Sequence, residues 1–146
     1  MTNVSHMASQ LAAETPDGVL ISDRNGIIRF WNNGCERIFG FSSCEAVGES
    51  LEIIIPENLR DRHQRGHDET MRTGQTRYGS GDLLSVPAVR KDGTRISVEF
   101  SITPFRDKDN SILALAAIMR DVTERFNEMK TLRRALADAH KSAEFR

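Results

Sequence analysis

The chain has 146 residues, 20 of them Lys or Arg and 21 Asp or Glu, for a formal net charge of −1. That length bounds it to one domain with appendages, and the balanced charge gives no electrostatic case for nucleic acid or an anionic membrane. Two cysteines, Cys35 and Cys44, are too few for a disulfide framework, and their spacing matches no zinc pattern. They read as free thiols of a cytoplasmic protein. No basic segment followed by an apolar core opens the chain, and its apolar runs fall far short of a membrane span.

In chain order, Val4, Met7, Ala8 and Leu11 recur at helical spacing and predict an amphipathic helix ending before Thr15-Pro16. A helix so short needs a surface to dock on. Residues 17–23 and 26–31 predict two short strands joined by the turn Asp23-Arg24-Asn25-Gly26. Asn33, with Glu36 three residues on, has the form of a capping box and predicts a helix from there to Gly40. Ser42 or Ser43 caps a further turn. Residues 60–73 predict a polar helix with Gly74 as its C-cap residue. Its apolar stripe is narrow: Leu59, His63, Gly66 or His67, Thr70 and Met71.

A third strand is predicted from about Leu83 to Arg90, closing on the Asp92-Gly93 turn. Ile96, Val98, Phe100 and Ile102 then alternate with polar residues, the period of a strand with one buried face. Residues 112–119 are apolar on both faces and predict a central strand covered on each side, antiparallel to the strand before it. From Val122 on, Phe126, Met129, Leu132, Leu136, Ala139 and Ala143 form a near-heptad stripe. It outruns one small sheet, which points to a second copy of the chain, a homodimer.

The motifs Phe30-Trp31-Asn32, Glu36-Arg37-Ile38-Phe39-Gly40-Phe41, Lys91-Asp92-Gly93-Thr94 and Arg120-Asp121-Val122-Thr123 occur in this order. With the strand and helix sequence around them, residues 14–125 resemble a PAS domain. The resemblance implies an α+β fold: a five-stranded antiparallel sheet of order 2-1-5-4-3, with helices cupping a pocket over one face. It divides the chain into an N-terminal cap helix (1–15), a sensor core (16–122) and a C-terminal signalling and dimerisation helix (123–146). It implies a module that senses a ligand, cofactor, redox state or light, and that dimerises through flanking helices and the outer sheet face. With no catalytic segment in view, the expected output is dimer remodelling or an effector protein in trans. The rival expectation is a ligand-free interaction adaptor, its pocket filled by side chains.

Three pocket contents follow from the resemblance. The cysteine-adduct flavin pattern places Leu51 where the cysteine belongs, and Cys35 lies too early to substitute. In haem-binding PAS oxygen sensors the axial histidine lies eleven residues before the helix-ending glycine, as His63 does before Gly74. By that likeness His63 is the axial ligand of haem b and Arg77 a propionate partner. Leu83 stands at the distal arginine position, Gly81 at the distal methionine, and Glu69 replaces an arginine beside the propionates. Leu83 and Leu84 then leave the distal side without a donor, and Met71 joins the pocket wall. The third class is a small organic ligand or nothing; Arg60, Arg62, Arg65 and Arg77 near the mouth would suit a carboxylate. His63 and His67 have metal-ligand spacing but no third partner in the sequence, and HQRGH lacks a zincin glutamate. Ser22, Ser80 and Ser85 lack a nucleophile's setting. No enzymatic activity is expected.

Overall fold

The computed structural model describes residues 3–76 and 83–144. Its spine is an antiparallel pair, β4 (Arg95–Arg106) with β5 (Ile112–Asp121), in one register from Val98 opposite Asp121 to Phe105 opposite Ala114 and shifted by a bulge before Arg106 meets Ile112. β1 (Gly18–Asp23) pairs with the other edge of β5, and β2 (Ile28–Trp31) with β1. β3 (Leu84–Val89) closes the far side against β4. The order β2-β1-β5-β4-β3 is the expected one. Gly26 and Gly93 sit in tight turns with φ of 76° and 87°, which a side chain would strain.

The helices follow from local signals. α1 (Val4–Glu14) is capped by Asn3 and ends at Thr15. α2 (Asn33–Phe39) corrects the expected cap by one residue, because Asn32 rather than Asn33 is the N-cap. The Asn32 side-chain oxygen accepts from the N–H of Cys35 and also from that of Val19, so it serves helix and strand together. Glu36 turns away to accept from the Ser43 N–H. α3 (Ser43–Ala46) has the Ser42–Glu45 capping box. Two 3₁₀ turns lead into α4 (Arg60–Thr73), which ends on left-handed Gly74. α5 (Thr123–Glu144) begins immediately after β5.

The core lies between the sheet and α2–α3. Leu20, Trp31, Phe39, Ile96, Val98 and Met119 form one buried cluster, with Trp31 and Phe39 ring centroids 5.5 Å apart. A second expectation fails here. β5 is covered on one face only, since Ile118 on the other face stays 48% exposed. Among the described residues, no helix covers Ile118 on the outer face.

Candidate ligand pocket

A cavity of about 350 Å³ lies between the inner sheet face and α4. Its floor is apolar: Leu84, Val98, Phe100, Ile102, Leu115 and Met119. These side chains share one face because the register sets Phe100 opposite Met119 and Pro104 opposite Leu115. The volume lies at the small end of the ~300–1,000 Å³ usual for ligand pockets.

α4 forms the opposite wall and is weakly packed, with Thr70 its one buried residue. Polar clasps hold it instead. His67 Nε2 lies 2.7 Å from the Arg24 carbonyl, and since a carbonyl only accepts, that nitrogen carries the proton. The Arg24 guanidinium donates to the carbonyls of Ile112 (2.5 Å) and Met71 (3.5 Å), joining β5 to the end of α4. Arg106 Nη1 donates to the Gly74 carbonyl at 2.6 Å. At the other end Arg60 Nε donates to the Ile55 carbonyl at 3.2 Å.

His63 lines the cavity one turn before His67, the two rings stacked with centroids 6.4 Å apart. Its Nδ1 is buried with no hydrogen-bond partner among the described residues. Burial, and then the neighbouring His67, hold its pKa below the ordinary 6.5, so the ring is neutral near pH 7. Among the described residues no group of three metal-ligating side chains exists to recruit the pair.

The remaining expected site residues divide. Leu84 lines the cavity. Leu83 does not: it is 66% exposed, because strand alternation turns residue 83 outward when 84 faces in. Met71 is also outside the lining and contributes only its carbonyl, to Arg24. Arg77 and Gly81 lie outside the described residues. Glu69 is ion-paired with Arg72 at 2.8 Å. Arg62 borders the cavity and is exposed. Neither cysteine lines the cavity, and burial pushes the Cys35 thiol up to about 12, which leaves it inert.

Two polar residues are named from the sequence, Thr70 on the helix stripe and Ser22 among serines without a nucleophile's setting, but not as cavity lining. Ser22, 1% exposed, and Thr70, 9% exposed, both line the cavity. The signal for Ser22 was its phase, since it falls on the same strand face as Gly18 and Leu20.

The PAS domain family model matches residues 16–124. The sensor protein FixL of Bradyrhizobium diazoefficiens is 31% identical over 84% of this chain, which spans 24% of FixL. The oxygen sensor protein DosP of Escherichia coli is 24% identical over 59% of this chain, which spans 11% of DosP. A PAS domain from Colwellia psychrerythraea superposes with a TM-score of 0.71 at 18% identity, covering 84% of this chain and 99% of that one. This chain belongs to the PAS domain family.

Proposed function

We propose that this chain is a ligand-responsive sensory module in which a small, mostly apolar ligand enters the cavity between α4 and the sheet. The observation that carries the reading is the His63 Nδ1, a buried polar atom with no described partner in an apolar wall. Such an atom is costly unless something meets it, and a ligand supplies that partner. The sheet, through β5, passes the ligand's effect to α5. The likeness to FixL and DosP, both sensor proteins, supports sensing as the role.

Haem b meets part of what the site asks. His63 is a neutral imidazole in an apolar cavity, which suits an axial ligand, and bound iron would supply affinity for diatomic gases. A ligating imidazole ordinarily donates its second nitrogen to an acceptor, however, and His63 has none among the described residues. The one formal charge on the described lining, Arg62, is exposed and poorly placed for two propionates. A small organic ligand makes neither demand and is the reading these observations favour. The adduct-forming flavin reading is disfavoured by the absence of a cavity-lining cysteine.

Absorption spectra of protein reconstituted with haem b, beside His63→Ala, test the choice. Equal, weak uptake by both proteins is the expected outcome. A sharp Soret band in the parent that the substitution abolishes would make haem b the ligand and His63 its anchor.

A further inference from the structure

Ser22 and Thr70 are more than nine-tenths buried, both face the cavity, and neither hydroxyl makes a hydrogen bond among the described residues. Both oxygens open onto the cavity rather than being sealed in protein, because His63 Nδ1 is the one fully enclosed side-chain polar atom without a partner among the described residues, so what enters the cavity is what they can bond. Thr70 also forgoes the usual bond of a helical threonine to the carbonyl one turn back. Chain position puts both beside the Arg24 clasp. Ser22 is two residues before Arg24, whose carbonyl meets His67 and whose guanidinium meets the Met71 carbonyl, and Thr70 sits between those two on α4.

The charge pattern narrows what fits between them. Arg24 is already committed to two carbonyls, and Arg62 is the sole formal charge on the described lining and lies exposed. A carboxylate at this end would lose hydration with no uncommitted cation among the described residues to replace it. A hydroxyl both donates and accepts, as Ser22 and Thr70 do, and satisfies both at once. We propose that the Ser22–Thr70 end of the cavity binds the uncharged hydroxyl of a small, otherwise apolar alcohol. The inference rests on the reading of the cavity as a ligand site and specifies the head group that site selects.

Benzyl alcohol, toluene and benzoate share one ring and differ in the head group, so calorimetric titration of the three separates the head group from the cavity. On the parent protein benzyl alcohol is expected to bind about tenfold more tightly than toluene, with benzoate the weakest. In Ser22→Ala/Thr70→Val, where both hydroxyls are gone and shape is nearly kept, the advantage over toluene should vanish. Toluene binding in that variant doubles as the check that its cavity has formed. If the double variant does not fold, Thr70→Ser, which keeps the hydroxyl, should retain the alcohol preference and Ser22→Ala alone should weaken it. Equal binding of benzyl alcohol and toluene to the parent overturns the inference while the cavity reading stands. So does a preference that survives loss of both hydroxyls, or benzoate binding best. Binding of none of the three overturns the cavity reading itself, and the inference with it.

Discussion

His63 is held neutral by its surroundings, and this has a definite signature in pH. Burial lowers its pKa in the folded protein, whereas the unfolded chain titrates near 6.5. Below that value the unfolded state binds more protons than the folded one, so stability rises with pH. The contribution is complete above 6.5 and is lost as pH falls from there toward the lowered folded value. Replacing His63 with Leu removes the titration. The melting temperature of the parent should therefore fall more steeply than that of His63→Leu between about pH 7.5 and about pH 5.5. Parallel slopes would show that His63 titrates alike in both states. Gly66 offers the opposite kind of change. It lies mid-helix on the cavity wall, and a Cβ there meets nothing within 4 Å. Gly66→Ala should stabilise the protein by about 1 kcal/mol through helix propensity alone, read from urea denaturation. A loss of stability would mean that the alanine methyl crowds the wall.

At the scale of elements, α4 is the part of the cavity held by hydrogen bonds rather than by packing. Among the clasps around α4, Arg24 has partners 47 and 88 positions away, more distant than those of His67 or Arg106. Arg24→Ala keeps the carbonyl that meets His67 and removes only the bridge to Met71 and Ile112. Hydrogen exchange should rise several-fold across residues 60–74 while the β4–β5 ladder keeps its protection. A rise shared by the sheet would mean that Arg24 supports the whole fold. The same distances explain what the sequence did and did not disclose. The alternation at Ile96, Val98, Phe100 and Ile102 identifies a strand because each residue answers only to its own pleat. The Gly74 terminus of α4 is equally local. The Arg24 clasp, and the presence of Ser22 and Thr70 on one cavity lining, depend on elements distant in the chain, and no periodicity encodes them. Residues 112–119 misled for a related reason: a strand apolar on both faces does not say whether its second cover comes from the same chain.

At the scale of the molecule, the apolar surfaces without cover are the outer sheet face and the stripes of α1 and α5. Phe126 and Leu132 on α5 are 48% and 63% exposed. Those values suit a helix that seats on another molecule, a second copy being the simplest occupant. Lysines at both positions place unpaired charge in such a seam and should cost about 3 kcal/mol or more in association. Light scattering should then show a dimer for the parent and a monomer for Phe126→Lys/Leu132→Lys. A parent that is already monomeric, or a dimer the lysines do not disturb, removes α5 as the seam. The root of α5 has a mechanical consequence. Ser97 takes the Val122 N–H on its carbonyl and donates its own N–H to Thr123 Oγ1, both at 2.9 Å, while its neighbour Val98 lines the cavity. The helix is thus pinned at one end to the residue beside the pocket floor and runs 22 residues from there. At 1.5 Å per residue that is a rod of about 33 Å, and a tilt of about 10° at the pin swings its free end through about 6 Å. A tilt too small to change the shape of the sheet thus moves the far end of the rod sideways by about the 5.4 Å pitch of an α-helix.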